Sequence, residues 1–121
     1  MYRAFWTDAH KINWNRLGDD FATFADCAKA AKKARDAAGA SPLWFGGIAI
    51  FRVEELHAEW PDSTVEPAAW FYSAGGRGGY TMDTFCLASP MTSEERKEFG
   101  PYGGTLQIGK NGRVYIKRFG D

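Results

Sequence analysis

Between Phe24 and Ala38 the residues Phe24, Cys27, Ala31, Ala34 and Ala38 fall on one stripe at ~100° per residue, with Lys29, Lys32, Lys33 and Asp36 opposite. That spacing predicts a helix over 24–38. Thr23 is placed to accept from the first turn as an N-cap, and Asp26 stands where a capping-box acid belongs. Arg35 and the neighbouring lysines suit the negative end of the helix dipole. Gly39 can end the helix in a left-handed conformation, and Pro42 blocks its resumption. A stripe made mostly of alanine lets the helix lie close against a sheet. Its cationic face reads first as a solvated one.

Elsewhere the pattern has the period of strands. Tyr2–Thr7 is aromatic-rich and suits a pleated surface. Asp8-Ala9-His10 reads as a turn, and Lys11–Leu17 alternates apolar and polar, closing a hairpin on the first strand. Phe45–Leu56 reads as a long strand with Ile48 and Ile50 on one face and Ala49, Phe51 and Val53 on the other. Both faces being apolar, it belongs in the middle of a sheet. The acidic stretch to Glu66, with Pro61 and Pro67 nearby, reads as a loop with one helical turn over Glu54–Trp60. Ala68–Ser73 is a further strand, with Trp70 and Tyr72 to one side and Phe71 to the other. The glycine run from Ala74 to Gly79 reads as a loop, because glycine loses the most freedom in a strand, and Tyr80–Ala88 returns. Thr92 and Glu95 form a capping box that opens a short helix to Phe99, ended by Gly100 and Pro101.

The C-terminal segment is a hairpin whose register can be derived. A two-residue Asn111-Gly112 turn pairs Ile108 with Tyr115. A loop of Lys110-Asn111-Gly112 pairs Ile108 with Val114 and Leu106 with Ile116, which gathers four aliphatics on one face and gives Gly112 the left-handed position. The second register is the expected one, and it leaves Gln107, Arg113, Tyr115 and Lys117 on the other face. The whole predicts an α+β fold: a mostly antiparallel, twisted sheet of about six to seven strands with one long and one short helix. A chain of 121 residues fits a single domain, 1–121.

Composition sharpens this. Five Trp, five Tyr and nine Phe make a core easy to build and leave a surplus. A helix of 24–38 is ~22 Å long, while six or seven strands span ~30 Å, so two modest helices leave apolar strand surface uncovered. Such surface marks interaction sites. Net charge is zero but segregated. Residues 1–53 hold eight Lys/Arg against five Asp/Glu, 54–100 hold three against nine, and 101–121 hold four against one. Segregation of this kind bears on partners.

Candidate chemistry is sparse. The glycines around Arg77 could turn amides towards an anion, but the run lacks a P-loop ending and opens no helix, so a hairpin connection is the ordinary reading. His10, His57, Cys27 and Cys86 have no zinc-ligand spacing, and no metal or other cofactor is expected. Cys27 lies on the buried stripe, where a small apolar residue is ordinary. An enzyme would need a site assembled from scattered residues such as His10, His57 and Asp83. The N-terminus shows no apolar signal region, no stretch approaches a membrane span, and two cysteines suit reduced thiols, so a cytoplasmic protein without membrane contact is expected.

Two surfaces remain. The acidic segment, Glu54, Glu55, Glu59, Asp62 and Glu66, surrounds Trp60 and, with Trp70 and Tyr72, forms the expected partner-binding set. It fits a non-enzymatic domain acting by stoichiometric contact with a protein. A small inhibitor of a nucleic-acid-handling complex, as in phage counter-defence and anti-CRISPR proteins, matches the size and the acidic segment. A homodimer would cover the same aromatics. The alternative is a nucleic-acid-binding module using Arg77, Lys110, Arg113, Tyr115, Lys117 and Arg118, in which cations take phosphates and a ring takes a base. Overall neutrality weighs against it.

Overall fold

The computed structural model describes residues 1–7, 13–38, 47–75, 81–87, 90–109 and 111–120, with no side-chain description for 38, 72–75 and 81–83. Among the described residues there are seven strands and two helices, with all register-assigned pairings antiparallel, and the fold is α+β. Two compact units divide the chain, Met1–Pro67 and Ala68–Asp121.

In the first unit β1 (Tyr2–Thr7) is flanked by β2 (Trp14–Arg16) and β3 (Gly47–Arg52). Pairing Phe5 with Ala49 and Ala4 with Ile50 puts Tyr2, Ala4, Ile48 and Ile50 on one face and Arg3, Phe5, Ala49 and Phe51 on the other. The helix α1 (Phe24–Ala38) covers the first of these faces, and Phe24 meets Tyr2 edge to face at 5.6 Å. Its buried stripe is Phe24, Cys27, Ala28 and Ala31, whose small side chains permit that approach. Thr23 caps it, its Oγ1 accepting from Asp26 N at 3.2 Å.

In the second unit β4 (Ala69–Gly75), β5 (Thr81–Leu87), β6 (Gly104–Ile108) and β7 (Val114–Arg118) follow one another across an antiparallel meander. Phe71, Phe85, Leu106 and Ile116 lie in one row. The helix α2 (Ser93–Phe99) opens on the predicted capping box: Thr92 Oγ1 accepts from Glu95 N, and Glu95 Oε1 accepts from Thr92 N at 3.1 Å. Ile108 pairs with Val114 and Leu106 with Ile116, the expected register, and Gly112 has φ +78°.

Three sequence-derived boundaries move. β3 ends at Arg52, and Val53–Glu55 form a single 3₁₀ turn, because a strand buried on both faces cannot carry Glu54 and Glu55 onward. Ala74 and Gly75 stay in β4, paired with Met82 and Thr81, so ladder hydrogen bonds outweigh the entropy of one glycine. The strand expected over 11–17 is described as Trp14–Arg16, and Leu17 N still donates to Ala4 O at 2.9 Å. The expected turn at 8–10, the helix stop at Gly39 with Pro42, the loop residues 76–79 with Arg77, and Lys110 lie outside the described residues.

Candidate functional site

The face of the first unit's strands turned away from α1 is partly covered by the chain itself. Phe5 meets Phe51 edge to face at 5.7 Å, and Trp14 from β2 meets Phe51 at 5.4 Å. Trp60 lies over Phe5, with ring centroids 5.7 Å apart. The expected shortage of cover is therefore met in part by two tryptophans. Trp60 is only half inside, with 47% of its surface exposed. Glu59, Asp62 and Glu66, near it in sequence, are exposed as well.

An ion cluster holds this arrangement. Arg3 shares the Phe5 face of β1, and the β1–β2 register places Arg16 beside Phe5. After Leu17 the chain leaves the ladder at Gly18, whose φ of +85° suits glycine, and returns when Phe21 N donates to Tyr2 O at 2.9 Å. The excursion presents Asp20 to both arginines. Asp20 Oδ1 accepts from Arg3 Nε at 2.6 Å and Arg16 Nη2 at 2.9 Å, and Oδ2 accepts from Arg3 Nη2 at 2.8 Å. The remaining Arg3 nitrogen, Nη1, donates to Glu59 O at 2.9 Å, tying the cluster to the residue before Trp60. Hydrogen bonding from Arg3 holds the Asp20 carboxyl below its ordinary value, and the same bond raises Arg3. Arg3, Arg16, Val53, Leu56, His57, Ala58 and Glu59 line an open cleft of about 360 Å³.

The acidic segment is less bare than its sequence implies. Glu54 pairs with the amino terminus, whose hydrogen bond draws its pKa down, and Glu55 accepts from Arg52 Nη1 at 3.0 Å. The Glu59 carboxylate lies 3.9 Å from Arg16. Asp62 Oδ1 accepts from Thr64 N at 2.8 Å and from the Thr64 hydroxyl, which lowers its pKa and closes a local turn. Among the described residues Asp62 and Glu66 form no ion pair.

Of the partner-binding set, Glu54, Glu55, Glu59, Trp60, Asp62 and Glu66 belong to the first unit, while Trp70 and Tyr72 lie on β4 of the second. Of the alternative set, β7 carries Tyr115 and Lys117 on one face and Arg118 on the other. Arg118 donates to the carbonyls of Lys97 and Glu98 at 3.2 and 3.3 Å, serving the C-terminal end of α2. Sequence reading missed Arg3, Arg16 and Asp20. The two-residue spacing of Arg3 and Phe5, which puts them on one strand face, was a visible signal for the first of them, whereas Asp20 required knowing how the chain turns at Gly18.

Cys27 and Cys86 are free thiols, and burial pushes the Cys27 thiol up to about 12. Among the described residues no three His, Cys, Asp or Glu side chains are grouped to hold a metal ion, and no helix is long and apolar enough to cross a membrane. His10 lies outside the described residues; His57 is exposed on the cleft wall. No protein-family model, curated protein or solved structure matches the chain.

Proposed function

We propose that the chain is a non-enzymatic domain that acts by stoichiometric contact with a protein, using Trp60 as its anchor. One observation carries this reading. A tryptophan is held half-exposed over a packed aromatic face by a dedicated ion cluster, with the exposed acids Asp62 and Glu66 nearby in sequence. Aromatic anchors of this kind supply most of an interface's binding energy, and acids around one select a basic partner surface. An inhibitor of a nucleic-acid-handling complex, of the phage counter-defence or anti-CRISPR type and working in a cytoplasm, is the finer form of the proposal. It rests on chain size and the acidic segment.

The test is affinity capture from a lysate containing nucleic-acid machinery, with light scattering first to measure self-association. Trp60→Ala combined with Glu59→Lys should abolish capture of the partners that the unaltered chain retains. Unchanged capture by that variant, or a stable dimer that Trp60→Ala dissolves, defeats the proposal. A nucleic-acid reading has one observation in its favour: Tyr115 and Lys117 share an exposed face of β7. It requires oligonucleotide binding that weakens steeply with salt.

A further inference from the structure

We propose that the outer edge of β7 takes an extended acidic peptide segment of a partner protein as an additional strand of the second unit's sheet. Gly109 N donates to Arg113 O at 2.9 Å and Phe119 N to Gly103 O at 2.8 Å, which fixes the parity of the β6–β7 ladder. Residues 113, 115, 117 and 119 therefore turn their backbone groups towards β6, and Val114, Ile116 and Arg118 turn theirs outward. Among the described residues β7 pairs on one side only and ends the strand order. Its outward amides and carbonyls form an open template for another strand.

Charge selects the occupant. Arg113 and Lys117 are exposed along this edge, Arg118 being held by the carbonyls of α2, and residues 113–119 contain no acid. A second copy of the chain would set these cations against their own kind, so self-pairing is disfavoured. A nucleic acid would gain nothing from the outward backbone row, and the register splits Arg118 from Lys117. An acidic strand gains both the ladder and the charge.

The two faces of β7 also set the pattern that strand must carry. Arg113, Tyr115 and Lys117 lie on one face, while Val114 and Ile116 lie on the other, Ile116 being 40% exposed. Acidic side chains therefore belong opposite the first row and aliphatic ones opposite the second, in strict alternation. Lys117 on an edge ordinarily keeps stray strands away; here it admits acidic ones. This edge belongs to the second unit and Trp60 to the first, and neither proposal uses the other's residues, so either can fail while the other stands.

The experiment is fluorescence anisotropy with the full chain and a labelled eight-residue peptide of alternating valine and glutamate. Saturable binding that weakens with salt is expected. N-methylation of alternate peptide amides should weaken it about tenfold or more, because each missing donor leaves a β7 carbonyl unpaired. Ile116→Pro removes an outward N–H at an edge position where proline is tolerated, and should abolish binding with the circular dichroism spectrum unchanged. Arg113→Glu with Lys117→Glu, which leaves the backbone alone, should abolish it too and so covers the case in which the proline variant misfolds. Four results overturn the proposal: no binding of the peptide, equal binding of its N-methylated form, tighter binding of a valine–lysine peptide or a single-stranded oligonucleotide, or a dimer that Ile116→Pro dissolves.

Discussion

Replacing Asp20 by asparagine tests the core of the site argument, because the two side chains have nearly the same shape. In the native cluster Oδ1 accepts from Arg3 Nε and Arg16 Nη2, and Oδ2 accepts from Arg3 Nη2. Asparagine can keep the first two bonds through its neutral carbonyl oxygen, but its amide nitrogen takes the place of Oδ2 and faces a donor. One charge-assisted bond is lost outright, worth about 1.5 to 3 kcal/mol, and two are weakened. The side chains of Arg3 and Asp20 are 12% and 23% exposed, so solvent softens the loss only in part. The expected destabilisation is about 2 kcal/mol for Asp20→Asn, and less for Arg16→Ala, which sits at the wetter edge of the cluster. With a urea slope of ~1.5 kcal/mol/M, the midpoint should fall by about 1.3 M at an unchanged slope.

The pH dependence supplies a second readout with a fixed sign. Asp20 has a folded pKa below its ordinary value of 3.8, so its contribution is fully present above that value and fades as pH falls through the lower folded one. The stability difference between the native chain and Asp20→Asn should therefore be full at pH 6 and shrink below ~pH 4. Asp36 and Asp62 are also lowered, by partners that the substitution leaves alone, and cancel in the difference. Urea melts followed by far-UV circular dichroism across pH 3 to 6 measure both quantities. A midpoint shift under ~0.3 M, or a difference that does not change with pH, refutes the reasoning. Because Arg3 also holds the Glu59 carbonyl, the same variant should weaken partner binding through Trp60.

Three further outcomes are expected. Thr92→Ala removes the hydroxyl half of the capping box, leaving the backbone N–H of residue 92 to donate to Glu95, and should lower stability by about 1 kcal/mol in urea melts, whereas Thr92→Ser should be close to neutral. A thiol reagent at pH 8 should modify Cys86 well before Cys27, which is 1% exposed with its thiol pushed up to about 12, and both should react in urea. Gly104→Ala would place its Cβ 2.4 Å from the Lys117 carbonyl oxygen and should cost about 3 kcal/mol. Gly112→Ala meets nothing within 4 Å and should cost only the ~1 to 2 kcal/mol of a left-handed alanine, so the reverse order would contradict the packing account.

What the sequence revealed was whatever short-range chemistry decides. The helix at Phe24–Ala38 follows from a stripe and a cap, both local, and the observed element starts at the predicted residue and runs to Ala38. The register of the C-terminal hairpin follows from turn length and facing aliphatics, also local. The end of β3 was misplaced because the pattern of apolar residues runs on through Val53 and Leu56. What stops the strand is the burial of both its faces, which Glu54 and Glu55 cannot enter; they pair instead with the amino terminus and Arg52, and the first of these pairs spans most of the unit. The cover over Phe5 was missed for the same reason. No local rule says that the chain will bring Trp60 back across β1.

The acidic segment shows how far such long-range pairing changes a functional reading, and it yields the sharpest charge test. As a string, Glu54, Glu55, Glu59, Asp62 and Glu66 look like one negative field; once folded, the first three face cations from elsewhere in the unit. Their net fields are largely cancelled beyond a few ångströms, so steering of a basic partner falls to Asp62 and Glu66. A unit charge ~10 Å from its counterpart in water is worth about 0.4 kcal/mol. Glu66→Lys changes the field by two charges and should slow association by about fourfold at low salt. Asp62→Asn removes one charge while keeping an acceptor for the Thr64 turn, and should slow it about twofold. Both effects should vanish as salt shortens the Debye length, with dissociation little altered, since rim charges act on encounter more than on residence. Stopped-flow association with a partner retained through Trp60 measures this directly. If the two variants instead leave association untouched and speed dissociation, the acids are contact residues within the interface, and the account of an anchor reached by electrostatic steering is wrong.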